Sequence, residues 1–161
     1  MQKTGPSQGP VFFHKSMDEQ DEFFLKKALS EAEEARDKGE VPVGAVLVCD
    51  NKIITKSHNQ VELLNDATAH AEMLAITAGC AHFQSKYLPD CTLYVSLEPC
   101  PMCAAALYWT QIGRVVWAAS DEKRGFTRYA PHLLHPKTTF SHGILAQESA
   151  QIIRDFFSER R

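Results

Sequence analysis

No stretch of this chain approaches the roughly 20 apolar residues that a membrane-spanning helix requires, and its N-terminal segment lacks the apolar core of a signal peptide. A membrane partner is therefore not expected. There is no second Cys-x-x-Cys and no His-x-x-x-His pair with which to close a structural zinc site on all four sides. Positive charge is not in surplus either: 17 Lys+Arg face 20 Asp+Glu, a formal net charge of −3, which argues against a general nucleic-acid coat. The five cysteines make an odd count. Cys49, Cys80 and Cys91 lie in apolar or periodic segments and read as buried free thiols. Such thiols favour a reducing, cytoplasmic setting over a disulfide-stapled secreted one.

What is present suits one globular domain: 161 residues, 44% of them hydrophobic, without an internal repeat. Residues 1–16, with Gly5-Pro6 and Gly9-Pro10, read as a disordered lead-in, and 17–161 as the domain. Charge is uneven along the chain. Residues 123–161 carry 7 Lys+Arg against 3 Asp+Glu, whereas residues 1–122 carry 10 against 17. That asymmetry fits a polyanion footprint in the last third, and it fits an ordinary solvated basic surface equally well.

Ser16 and Glu19 have capping-box spacing ahead of a helix running to about Lys38, with Phe24, Leu25, Ala28, Leu29, Ala32 and Ala35 as its buried stripe. Val43 to Cys49 and Ile53 to Ser57 read as strands joined by a turn at Asp50-Asn51. A helix is expected over Ala67 to Ala78, a strand over Thr92 to Leu97, a helix from Pro101 to about Thr110, and a strand over Val115 to Ala118. A short fifth strand (Thr138 to Phe140) and a last helix (Ile144 to about Ser158) complete the pattern. Strands alternating with helices imply an α/β sheet covered on both faces.

Chemistry concentrates in His70-Ala71-Glu72 and in Pro99-Cys100-Pro101-Met102-Cys103, 27 positions beyond Glu72. His70, Cys100 and Cys103 are three ligands of the type zinc prefers, and three protein ligands leave a fourth position for water, as in catalytic sites. Glu72 is not needed as a ligand and is the natural proton carrier. Cys100 and Cys103, three apart at a helix start, can turn both sulfurs to one point, where the helix end favours thiolate. A lone Cys-x-x-Cys is weak evidence, but the His-x-Glu and Pro-Cys-x-x-Cys pair is the signature of zinc nucleobase deaminases. Hydrolytic deamination follows from these parts, with Zn2+ as the cofactor and no organic cofactor.

The stretch Gly39-Glu40-Val41-Pro42-Val43-Gly44-Ala45-Val46-Leu47-Val48 resembles the opening strand of the bacterial tRNA-specific adenosine deaminase (TadA) family. So do Asp66 to Glu72, Thr92 to Cys100, Ile112 to Val116, Gly143 to Ala146 and Asp155 to Phe157, so that the resemblance spans about 18–161. It implies a three-layer α/β/α cytidine deaminase-like fold with a central mixed sheet of about five strands and a homodimer. The implied activity is conversion of adenosine to inosine at the wobble position of a tRNA anticodon, with the anticodon stem-loop as partner. His70, Cys100 and Cys103 match the family's zinc ligands, Glu72 its proton shuttle, and Asn59 an asparagine that hydrogen-bonds the adenine.

One segment departs from the family pattern. Where a small, Gly/Ala-rich run is usual after Asp121-Glu122-Lys123, this chain has Arg124-Gly125-Phe126-Thr127-Arg128-Tyr129-Ala130. Arginine and aromatic side chains suit RNA, so Arg124, Arg128, Arg160 and Arg161 are candidate RNA contacts, while Phe126 and Tyr129 fit base stacking or packing under a loop. A small-molecule deaminase acting on guanine or cytosine would share every zinc residue. A non-catalytic, zinc-stabilised RNA-binding subunit would not need Glu72.

Overall fold

The computed structural model describes residues 16–160. The expected lead-in, apart from Ser16, and Arg161 lie outside them. Helix α1 (Met17–Asp37) opens on the full capping box: the Ser16 hydroxyl accepts from Glu19 N–H at 3.1 Å and the Glu19 carboxylate from Ser16 N–H at 2.8 Å. Strands β1 (Gly44–Cys49) and β2 (Lys52–His58) form a hairpin. Its two turn residues, Asp50 and Asn51, both have positive φ, the geometry that matches strand twist in a two-residue turn. A single helical turn, α2 (Val61–Leu64), precedes α3 (Ala71–Phe83). Then come β3 (Cys91–Leu97), α4 (Pro101–Thr110) and β4 (Arg114–Ala119). The short α5 (Phe126–Tyr129), β5 (Thr139–His142) and α6 (Ala146–Ser158) follow.

The strands form one five-stranded sheet in the order β2-β1-β3-β4-β5. β1 pairs antiparallel with β2 and β3, whereas β3, β4 and β5 run parallel, so the sheet is mixed. Strand alternation sorts its side chains between two cores. Ala45, Leu47, Leu93, Val95, Val115 and Trp117 pack with Ala71, Ala75, Ala104 and Leu107 of α3 and α4. Val46, Val48, Tyr94, Val116 and Ala118 face the other way, onto Phe24, Leu25 and Ala28 of α1. Helix α6 lies on this second side and hydrogen-bonds the sheet through the Ser149 hydroxyl and the Ser96 carbonyl. The result is a three-layer α/β/α fold, as the sequence pattern implies.

Two boundaries differ from expectation in ways that matter for function. The helix expected from Ala67 begins at Ala71, because Asp66 Oδ1 accepts from both Thr68 N–H (2.8 Å) and its hydroxyl (2.7 Å) and holds a turn there. His70 thereby becomes an extended N-cap rather than a residue within a helix. The last helix begins at Ala146 rather than Ile144, after Gly143 and Leu145 at positive φ.

Candidate metal centre and active site

The carboxyl ends of two strands lead into the two segments that carry the metal-type ligands. After β3, Glu98 and Pro99 bring Cys100 to the N-cap of α4, with Pro101 at N1 and Cys103 one turn in. After β2, the chain passes Asn59 and α2 before His70 caps α3. Neither His70 nor Cys100 uses its side chain to cap its own helix, so ring and thiol are free to face each other. His70 Nδ1 lies 3.7 Å from Cys100 Sγ and 3.5 Å from Cys103 Sγ, and the three ligand atoms all fall within 4.8 Å of one another.

Those spacings fit a tetrahedral ion. Zn–S near 2.3 Å and Zn–N near 2.05 Å at the tetrahedral angle require N···S of about 3.6 Å. The His70 ring presents Nδ1 to both sulfurs. The donor set of one imidazole and two thiols suits zinc, and among the described residues it is the one cluster of its kind.

Of the three ligands, the electrostatics favour the metal-binding form of one, the Cys100 thiolate. Cys100 is pulled down to about 4, first by hydrogen bonding from Cys103 and then by His70. Cys103, fully buried, holds its proton in that shared arrangement and is pushed up, chiefly by the same Cys100 contact and by desolvation. His70 is raised, mainly by Cys100. Glu72, at the second position of α3 and buried, is pushed up to about 7, chiefly by desolvation. Cys100, His70 and Cys103 all act on it electrostatically, so its carboxyl lies near the ligand cluster.

Asn59 is buried beside this centre. Its Oδ1 accepts from Ala71 N–H at 2.9 Å, and its Nδ2 donates to the Val41 carbonyl at 3.0 Å. One N–H and one lone pair of the amide remain for another partner. The RNA candidates are placed less uniformly. Arg124 is exposed: its backbone N–H donates to Asp121 Oδ1 at 3.0 Å, but its guanidinium has no partner among the described residues, whereas Arg128 donates to the Glu122 carbonyl at 3.3 Å. Arg160 lies over the Phe156 ring at 4.2 Å and donates to the Gly39 carbonyl at 3.1 Å, which ties it down against α1's end. Of the two aromatic side chains, Tyr129 is exposed but Phe126 is fully buried, edge-on to Trp117 at 5.6 Å. Base stacking by Phe126 is thereby excluded.

Glu40 and Glu98 are buried carboxylates that no local sequence pattern marks out. Glu40 accepts from Glu62 and Leu63 N–H (3.0 and 2.9 Å) and fixes α2. Glu98, adjoining Pro99, accepts from Asp121 N–H at 3.0 Å and from Thr127 N–H at 3.0 Å. Both stand within the quoted motif stretches, and their burial is the signal that sequence does not carry.

An α/β/α sheet with a three-ligand zinc-type centre at two helix starts, and a buried glutamate beside it, defines a zinc-dependent deaminase. Residues 18–119 match the cytidine and deoxycytidylate deaminase zinc-binding region. Over 145 residues, 87% of this chain and 95% of the relative, the sequence is 45% identical to the tRNA-specific adenosine deaminase of Aquifex aeolicus. A solved structure from a study of A-to-I editing by tRNA:A34 deaminases superposes with a TM-score of 0.76 at 41% identity, covering 81% of this chain and 98% of that one. The guanine deaminase of Bacillus subtilis is 46% identical with a TM-score of 0.59, but over only 62% of this chain and 64% of its own. The chain belongs to the tRNA-specific adenosine deaminase family.

Proposed function

We propose that this protein hydrolytically deaminates adenosine to inosine at the wobble position of a tRNA anticodon, consuming one water and releasing one ammonia. The observation that carries the reading is the tetrahedrally spaced His70, Cys100 and Cys103 cluster beside buried Glu72, in a chain matching tRNA deaminases over nearly their full length. His70, Cys100 and Cys103 hold the metal; zinc bound there supplies a water acidified to a pKa of about 7. Glu72 accepts a proton as water adds to the amino-bearing carbon of the purine. It passes that proton to the ring nitrogen, then takes the remaining proton of the added hydroxyl and gives it to the amino group, which leaves as ammonia while the carbonyl forms. Burial of Glu72 disfavours the charged carboxylate, which helps a group that must both take and give protons.

Asn59 reads the purine edge with its spare donor and acceptor while holding the start of α3. Arg124 and Arg128, with Arg160 and Arg161, attract the phosphates flanking an unpaired anticodon base. Residues 17–161 act as one domain and the enzyme as a homodimer through the apolar end of α4, where Tyr108 and Trp109 are exposed. Free thiols at all five described cysteines support a cytoplasmic setting.

The likeness to a guanine deaminase sustains a second reading, deamination of a free base by the same centre. Purified protein incubated with total tRNA, and in parallel with guanine and cytosine, separates the two. Inosine in tRNA, with turnover falling steeply as salt rises, is expected of the RNA enzyme. Robust, salt-indifferent turnover of a free base supports the second reading.

A further inference from the structure

Glu98 is 4% exposed, yet it belongs neither to the ligand cluster nor to the proton path. Its Oε1 accepts from Asp121 N–H at 3.0 Å, and its Oε2 from Thr127 N–H at 3.0 Å and Thr127 Oγ1 at 2.7 Å. The backbone continues the seam. Glu98 N–H donates to the Ala119 carbonyl at 2.8 Å, and Phe126 N–H donates to the Pro99 carbonyl at 2.9 Å. Gly125 lies so close that an added Cβ would overlap the Glu98 carboxylate.

The stretch from β4's end to α5 is therefore stitched to the two residues that precede Cys100. On its outer side this stretch exposes Arg124, Thr127, Arg128 and Tyr129. Tyr129 braces the loop further by donating to the Lys123 carbonyl at 2.7 Å. Only a carboxylate, with several lone pairs and no N–H, accepts from two backbone amides and a hydroxyl at once; an amide side chain would aim its NH2 at one of them.

We propose that Glu98 is a positioning residue for the RNA substrate: its carboxylate locks the 121–130 segment to the Cys100 end of β3, setting Arg124 and Arg128 at a fixed reach from the metal centre. This rests on the reading of the site as an RNA deaminase. Loss of the lock loosens substrate grip without altering the ligand cluster or Glu72, so KM rises while kcat is largely kept. A purely structural anchor would instead lower stability and the active fraction, leaving KM unchanged.

The test uses Glu98→Gln and Thr127→Val in the full-length, zinc-loaded protein with an anticodon stem-loop RNA. Glu98→Gln should keep its zinc, speed hydrogen exchange at the Asp121 and Thr127 amides, and raise KM roughly tenfold with kcat within about threefold of wild type. Thr127→Val removes only the hydroxyl donor and should move both readouts the same way by a smaller factor. It carries the comparison by itself if Glu98→Gln loses zinc or unfolds. Unchanged amide exchange, or an unchanged KM despite faster exchange, overturns the proposal. A wild-type protein that leaves the RNA unedited but deaminates a free base overturns the functional reading instead, while the exchange measurement still reports on the lock.

Discussion

At the scale of single residues, the buried carboxyl of Glu72 makes the sharpest demands. Glu72→Gln preserves size and hydrogen bonding but removes the titratable group proposed as proton carrier. Turnover should fall by at least about 10²- to 10⁴-fold with zinc content unchanged, as read by metal analysis beside an inosine assay. The same group leaves a thermodynamic trace in the metal-free protein. Burial raises its value from 4.5 to about 7, so its contribution to stability is full below about 4.5 and is lost as pH climbs through about 7. Chelator-treated wild type should therefore lose stability relative to Glu72→Gln as pH rises from about 4.5 to about 7. The low value of Cys100 works in the opposite direction, and its thiolate is itself one of the charges that raise Glu72. A melting-temperature gap that stays constant across that range would contradict the assignment. Single Ala substitutions of His70, Cys100 or Cys103 should each abolish stoichiometric zinc binding, checked by metal analysis.

At the scale of elements, β1 runs unusually close to α1. A Cβ at Gly44 would collide with the backbone of Ala28 and Ala32, so Gly44→Ala should cost about 1–3 kcal/mol, measured by denaturant unfolding. Most elements were legible from sequence because each is written locally: the Ser16–Glu19 box, the period of α1, the alternation of β1 and β3, Pro101 at the start of α4. The start of α3 was not. Ala67 and Ala69 favour helix, and the Asp66–Thr68 turn that overrides them is itself stabilised by pairing the Gln60 amide with the Ala69 carbonyl at 3.0 Å. The short α2 and α5 have too few residues to show a period; buried carboxylates from distant segments hold them.

At the scale of the whole molecule, association and charge carry the predictions. Trp109 is 74% exposed at the end of α4, beside half-exposed Tyr108. A homodimer using this patch should sediment as a dimer at micromolar concentration, and Trp109→Glu should shift it toward monomer with zinc retained. Changing Arg124, Arg128, Arg160 and Arg161 together to Ala should weaken RNA binding and flatten its salt dependence, measured by fluorescence anisotropy. Within that set the larger share of the loss should come from Arg124, which is free, rather than from Arg160, which is held by Phe156 and Gly39.

Sequence alone marked out the metal-type ligand set and the glutamate proposed as proton carrier, because zinc chemistry constrains residue type and local spacing so tightly that few other patterns satisfy it. It also determined the layering, since side-chain periodicity states which face each element buries. Tertiary structure decided what depends on meeting partners far along the chain. It brought His70 within 3.7 Å of Cys100, some thirty positions away. It sent Phe126 into the core and left Tyr129 outside, spent Arg160 on a backbone carbonyl, and made Glu98 the acceptor for a segment more than twenty residues downstream. Each of these outcomes satisfies a buried polar group or fills a space between layers, and which group lies opposite is set by sheet register and helix packing rather than by neighbours in sequence.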